Sequence, residues 1–222
     1  MLRSTFAAVL ICLSLFSAQA SAVIITGDVT GGTALEAGGG FVELTELAGL
    51  SVGHDDFDDP NLYAFNERQN VVSDVGIRTD LGRDVRAGEV VASHYVAFDP
   101  KKASIQGSVT FDAPIIGVAF KTDTMAGSDF LMNGDVLYQS PRARGLESDD
   151  AIWIDEDDLT TLVLSFYASS PGDFVRVFTE LSKGAAEKGL SELPVPLPPA
   201  FFVFAAALAG GMGTRKLAMG AR

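Results

Sequence analysis

Residues 90–98 read Val-Val-Ala-Ser-His-Tyr-Val-Ala-Phe, and they show the strongest strand pattern in the chain. β-Branched and aromatic residues, which fit a pleated surface, dominate the segment. The next two residues, Asp99-Pro100, favour a turn. Because side chains alternate along a strand, His94 shares one side with Val96 and Phe98. We therefore predict a strand on which His94 faces the core and is hydrogen-bonded to a neighbour.

Other segments share this composition and are separated by turn-forming residues. The clearest are residues 104–111, 115–121, 161–167 and 174–178. Weaker candidates are residues 23–25, 41–47, 62–65 and 70–72. Turns are predicted at residues 112–114, 133–135 and 170–173, which are rich in Asp, Asn, Pro and Gly.

This pattern of short strands, with no long amphipathic helix before the C-terminal segment, favours an all-β domain over residues 23–181. We predict an antiparallel β-sandwich, jelly-roll-like in topology. The glycine-rich residues 31–40 are predicted to form a flexible loop, and residues 182–194 a spacer. About 150 residues bury enough surface to fold without disulfides.

The predicted domain and spacer are strongly acidic. They contain all 29 acidic residues and 12 of the 16 basic ones, a net charge of −17. Such a surface repels phosphate backbones, so nucleic acid is excluded as a partner.

Residues 1–22 have the pattern of a secretory signal peptide. Arg3 precedes an apolar run at residues 6–16, and small residues follow at 18–22. Cys12, the single cysteine of the chain, lies in this apolar run. Cleavage after Ala20 or Ala22 would remove it, which excludes disulfides and thiolate chemistry from the mature protein.

The C-terminal segment, residues 195–222, is predicted to form an apolar helix held at a membrane. It opens with Val195, Pro196, Leu197, Pro198, Pro199 and Ala200, and Arg215 and Lys216 follow the apolar run. Residues 200–212 would span roughly 20 Å as a helix, against a hydrocarbon core of about 30 Å. The basic pair would stop transfer on the cytoplasmic side. A short apolar tail of this kind suits a processing signal better than a permanent span.

The order of Val-Pro-Leu-Pro motif, apolar helix and basic end resembles the VPLPA-type branch of the PEP-CTERM sorting signals of Gram-negative bacteria. The resemblance covers residues 195–222, where Pro199 is inserted before the expected alanine. It implies a membrane-embedded exosortase as the processing enzyme and association with extracellular polysaccharide or biofilm. A plain C-terminal membrane anchor with a proline-rich spacer is the alternative.

Two acidic clusters could bind calcium, which prefers carboxylate and carbonyl oxygens. The first contains Asp55, Asp56, Asp58 and Asp59, and the second comprises residues 149–150 and 155–158. Neither has the ligand spacing of an EF-hand loop. The chain is predicted to need no cofactor, with a structural calcium ion at the first cluster as the alternative to a solvated loop.

Catalytic signals are weak. The chain has two histidines, His54 and His94, and neither a Gly-x-Ser-x-Gly nor a His-Glu-x-x-His motif. Trp153 lies in an alternating apolar segment and is predicted to face the core, with a sugar-stacking platform as the alternative. We predict a non-enzymatic, exported protein that is anchored at the cell surface or released. A carbohydrate-binding or carbohydrate-active domain delivered by the same route is the alternative.

Overall fold

The computed structural model describes residues 23–53, 55–139 and 144–181. Within these ranges the chain forms thirteen strands and three short helices, so the all-β prediction is confirmed. The predicted signal peptide (1–22), the spacer (182–194) and the sorting segment (195–222) lie outside the described residues. No helix in the described ranges is long and apolar enough to cross a membrane.

The elements follow one another in this order. The strands are β1 (Ile24–Gly31), β2 (Phe41–Glu43), β3 (Ser51–Val52), β4 (Leu62–Asn66), β5 (Val71–Val72), β6 (Leu81–Gly82), β7 (Val90–Phe98), β8 (Lys102–Phe111), β9 (Ile115–Ala119), β10 (Leu137–Tyr138), β11 (Ala151–Ile154), β12 (Thr161–Ser169) and β13 (Asp173–Thr179). The helices are α1 (Gly32–Glu36), α2 (Thr122–Gly127) and a 3-10 helix at Asp129–Leu131.

Two sheets carry most of the structure. One has four antiparallel strands in the order β1-β8-β12-β11. The larger sheet has the order β2-β4-β7-β13-β9-β6, and β5 pairs with β7 beyond the end of β4. Strands β7 and β13 lie at its centre and are buried along nearly their whole length. This explains why residues 90–98 have the clearest strand pattern, since a central strand is apolar on both faces.

The larger sheet separates two hydrophobic clusters. On one face, Val96 and Phe98 of β7 pack with Leu164 and Phe166 of the four-stranded sheet. On the other face, Tyr95 of β7 belongs to a second cluster that includes residues of α2 and the 3-10 helix. The first cluster joins the two sheets through one core, which is the packing expected of a two-sheet domain.

Several details differ from the sequence prediction. Strands β2 and β4 pair in parallel, and so do β10 and β3, so the sheets are not purely antiparallel. The predicted flexible loop at residues 31–40 contains α1, because Ala34 is fully buried in the core between the sheets. The predicted strand at 115–121 ends at Ala119, because the next two backbone N–H groups bind the carboxylate of Asp80 instead of a strand.

Candidate functional site

The outer face of the four-stranded sheet is the most distinctive surface of the domain. In β12, Leu162, Leu164 and Phe166 point into the core, so alternation directs Val163, Ser165 and Tyr167 outward. In β11, Ile152 and Ile154 pack against the core, which directs Ala151 and Trp153 outward. In β8, the outward positions are Ser104, Gln106, Ser108 and Thr110.

Two exposed aromatic side chains stand on this face. Trp153 is 46% exposed and Tyr167 is 44% exposed. Trp153 pairs with Val163 across the β11–β12 ladder, and Tyr167 follows Val163 by four residues. At a strand rise of about 3.3 Å per residue, the two rings are offset by roughly 13 Å along the strands. The prediction that Trp153 faces the core is therefore wrong: its neighbours Ile152 and Ile154 take the core positions.

Polar side chains lie between the two aromatic residues. Ser165 of β12 pairs with Gln106 of β8, and Val163 of β12 pairs with Ser108 of β8. These two cross-strand pairs lie at the centre of the face. Gln106, Ser108 and Ser165 use none of their side-chain hydrogen-bonding groups within the described structure. These groups are available to a ligand that lies flat on the sheet.

The outer face carries little net charge. Among its described strand positions, Asp28 of β1 and Lys102 of β8 are charged and cancel one another. The whole chain has a net charge of −13. The face is therefore a neutral, aromatic and hydroxyl-rich surface on an acidic domain.

The first acidic cluster does not gather its carboxylates at one point. Asp58 contacts Lys101, with 3.6 Å between Oδ2 and Nζ. Asp59 accepts hydrogen bonds from the backbone N–H of Asn61 and from the Tyr63 hydroxyl at 2.6 Å. Asp56 Oδ1 accepts from the side-chain amide of Gln139. Three or more metal-ligating side chains are nowhere arranged around one point in the described ranges.

Asp99 organises this loop, a role that the predicted turn at Asp99-Pro100 does not indicate. Its Oδ2 accepts hydrogen bonds from the backbone N–H groups of Asp56 and Phe57, at 2.8 and 3.2 Å. The side chain is fully buried, and burial raises its pKa although these two bonds oppose the rise. Asp55, whose φ is 57°, also raises the pKa of Asp99 through its charge. His54 lies outside the described residues.

The second acidic cluster splits into two turns. Asp155 Oδ1 accepts from the backbone N–H groups of Asp157 and Asp158 in the β11–β12 connection. At the other end of β11, Asp150 accepts from the N–H groups of Glu147 and Tyr167, both at 2.8 Å. In both turns, therefore, side-chain carboxylates accept hydrogen bonds from backbone N–H groups that have no carbonyl partner in the loop.

A buried ionic network lies in the cluster on the opposite face of the larger sheet. Arg176 and Glu67 are fully buried at their side chains and form two hydrogen bonds of 2.7 and 2.9 Å. Glu67 also accepts from the hydroxyls of Ser93 and Tyr138. Burial and the charge of Glu67 raise the pKa of Tyr138. Buried titratable groups are candidates for catalysis, but these atoms are enclosed by core side chains, which favours a structural role.

His94 is buried as predicted. Its Nδ1 lies 2.7 Å from Asn66 Oδ1, its Nε2 lies 3.1 Å from Thr179 Oγ1, and its ring packs against Phe111. Burial lowers its pKa to about 3, so the ring is neutral at physiological pH. With both nitrogens hydrogen-bonded inside the core, His94 is a structural residue.

The predicted sorting residues Val195, Pro196, Leu197, Pro198, Pro199 and Ala200, and the basic pair Arg215 and Lys216, lie outside the described residues. In comparisons with known proteins, the chain matches no family model, no curated protein and no solved structure at a significant level. Function is therefore inferred from the surfaces of the domain and from the sequence signals at its ends.

Proposed function

We propose that this chain is an exported, non-enzymatic protein whose β-domain binds a neutral extracellular polysaccharide through the outer face of the four-stranded sheet. Export is supported by the signal-peptide pattern of residues 1–22. Surface anchoring or release is supported by the VPLPA-type motif at residues 195–200 and the basic pair after the apolar run. An exosortase-type enzyme and the membrane are the partners in this processing.

The observation that carries the binding proposal is the pair Trp153 and Tyr167. Both are large aromatic side chains with nearly half of their surface in solvent, on a rigid sheet face. The C–H faces of sugar rings pack on aromatic rings, and a tyrosine or tryptophan combines this apolar surface with a polar group. The offset of roughly 13 Å between the two rings suits a chain of sugars rather than a single one.

The polar groups between the rings suit sugar hydroxyls. Gln106 offers an amide, and Ser108 and Ser165 offer hydroxyls that act as donors or acceptors. A few placed polar groups beside apolar surface are the usual composition of a small-molecule or glycan site.

The charge distribution favours a neutral glycan. Asp28 and Lys102 balance each other on the face, while the rest of the domain is acidic. An anionic polysaccharide that lies across the sheet would meet repulsion from the acidic turns at both ends of β11.

We also propose that the two sheets form a sandwich of jelly-roll type. The connections from β7 to β8, from β8 to β9 and from β12 to β13 each pass from one sheet to the other. Such crossings are typical of jelly-roll topologies. The rigid support of the core side chains Leu164 and Phe166 beneath β12 fixes the outward positions of its neighbours.

Affinity electrophoresis with the full chain tests this proposal, using neutral polysaccharides (a β-glucan, a mannan and a xylan) and anionic alginate. We expect retardation by at least one neutral polymer and a loss of affinity of about tenfold in Trp153→Ala and in Tyr167→Ala, since tenfold is 1.4 kcal/mol. Phe130→Ala is the matched control, because Phe130 is 45% exposed but lies in the 3-10 helix. Equal losses in all three variants, or no retardation by any neutral polymer, would refute the binding proposal.

Intact mass spectrometry of the protein from its native host tests export and processing separately. We expect a mass that lacks the signal peptide and the residues after about Pro198. A mass that retains residues 201–222 would instead support a plain membrane anchor.

A further inference from the structure

The described part of the chain begins with a two-point contact between Val23 and Asp112. The N–H of Val23 donates to Asp112 Oδ1 at 3.0 Å, and the carbonyl of Val23 accepts from the N–H of Asp112 at 3.0 Å. Val23 therefore extends the ladder of β1 and β8 by one residue beyond the pair of Ile24 and Phe111. The carboxylate of Asp112 accepts the hydrogen bond that a backbone carbonyl would accept in a regular antiparallel ladder.

Core packing fixes both partners of this contact. Ile24, the first residue of β1, is buried in the core between the two sheets. Asp112 follows directly after β8, and the next residue, Ala113, is fully buried. The nitrogen of Val23 is therefore held beside the carboxylate of Asp112 by buried residues on both sides.

Asp112 has no cationic side chain as a partner in the described ranges. None of the salt bridges formed there includes its carboxylate. A carboxylate binds an ammonium donor more strongly than a neutral amide N–H, because opposite charges then add to the hydrogen bond. The nitrogen of Val23 would become such a donor if the mature chain began at this residue.

The sequence before Val23 allows that outcome. Ala18-Gln19-Ala20 and Ala20-Ser21-Ala22 both have the pattern of small residues that precedes a signal-peptide cut. The pattern alone does not choose between cleavage after Ala20 and cleavage after Ala22. Cleavage after Ala22 frees the nitrogen of Val23, whereas cleavage after Ala20 leaves it an ordinary amide.

We propose that the signal peptide is cut between Ala22 and Val23 and that the freed α-ammonium group of Val23 forms an ion pair with Asp112. This inference rests on the export proposed above. In the cut, water adds its hydroxyl to the Ala22 carbonyl carbon and a proton to the Val23 nitrogen. The new Ala22 carboxyl group releases a proton to solvent, and the Val23 amine takes one up, since an α-amino group is mostly protonated at neutral pH.

The ion pair makes the mature chain more stable than its precursor. An ammonium group has three donors, one of which keeps the bond to Asp112 Oδ1. The others are hydrated, because Val23 is only partly buried. Processing thereby strengthens the contact that closes the end of the β1–β8 ladder.

N-terminal sequencing and intact mass spectrometry of the protein from its native host test the position of the cut. We expect a mature chain that begins at Val23. A chain that begins at Ser21 would overturn this inference and leave the export proposal intact. A chain that keeps Met1 and the rest of residues 1–22 would refute the export proposal itself, and this inference with it.

Urea unfolding tests the ion pair separately. Two chains are compared, one from Val23 to residue 222 and one from Ser21 to residue 222, each released from a fusion that leaves no extra residue. Asp112→Asn keeps an oxygen acceptor but removes the charge. It should raise the unfolding equilibrium constant of the chain that begins at Val23 by about fivefold more than that of the longer chain.

Asp84→Asn is the matched control for this comparison. Asp84 Oδ1 also accepts from a backbone N–H, that of Thr79 at 2.9 Å, and the contact is exposed. Its substitution should change the stability of the two chains equally. If Asp112→Asn also has the same effect in both chains, Asp112 does not bind the freed terminus and the ion pair is refuted.

Discussion

Replacing Arg176 with methionine should lower the free energy of unfolding by about 3–5 kcal/mol, the cost of removing one partner from a buried ion pair. Arg176 and Glu67 both have fully buried side chains. Methionine fills much of the same volume, so the loss would come from the uncompensated charge of Glu67 rather than from a cavity.

The hydrogen bonds of Arg176 explain why this loss should lie in that range. Beyond its two bonds to Glu67, the guanidinium donates to the Met125 carbonyl at 2.9 Å, to Ser128 Oγ at 2.8 Å and to Asp129 at 3.1 Å. All of these acceptors would lose a charged donor. The hydroxyls of Ser93 and Tyr138 would still donate to Glu67 and would reduce the loss of stability.

Urea unfolding followed by far-UV circular dichroism measures the effect. Arg83→Met is the matched control, because Arg83 pairs with Glu89 at 2.6 Å but their side chains are 44% and 25% exposed. An exposed pair contributes about 0–1 kcal/mol. Arg176→Lys keeps the charge without the planar two-point contact and should fall between the parent and Arg176→Met. If Arg176→Met loses no more stability than Arg83→Met, the buried network does not stabilise the fold as argued.

Two further predictions concern single buried polar groups. Because burial lowers the pKa of His94 to about 3, the unfolded chain binds a proton between pH 6.5 and 3 that the folded chain does not. The free energy of unfolding should therefore fall as the pH is lowered from 6.5 to 3, by up to about 1.4 kcal/mol per pH unit. The fall should be less steep in His94→Gln than in His54→Gln. Asp80→Ala should cost about 1–3 kcal/mol in urea unfolding, because Asp80 accepts from two backbone N–H groups and from the Thr124 hydroxyl. Burial acts to raise the pKa of Asp80, but these bonds outweigh it and hold the pKa below its usual range, so this difference should shrink as the pH falls below 3.8. If the Asp80→Ala variant is as stable as Asp157→Ala, the hydrogen bonds of Asp80 do not stabilise the fold as argued.

The sequence predicted the central strands well because local composition decides them. Strand β7 has the predicted bounds, Val90–Phe98, and His94 has the predicted buried position. Strands β8, β12 and β13 begin or end within two residues of the predicted segments. Each of these strands is buried on one or both faces, and the apolar pattern of its own residues already indicates that burial.

Contacts between distant residues could not be predicted in this way. Glu67 and Arg176 are 109 positions apart, and each resembles an ordinary exposed charge in its own segment. The parallel pairing of β2 with β4 also depends on the chain path between them, which contains the loop fixed by Asp99.

Trp153 shows most clearly what the local pattern leaves open. Ala151–Ile154 contains four apolar residues, so alternation alone does not decide which pair faces the core. In the structure Ile152 and Ile154 pack against the core between the sheets, and the Trp153 side chain is exposed on the edge strand β11. Acidic residues at both ends of this strand, Asp150 and Asp155, discourage pairing with a strand of another chain. The exposed ring is therefore not explained by the core or by a strand partner, and a ligand that lies across the face is the explanation that its position favours.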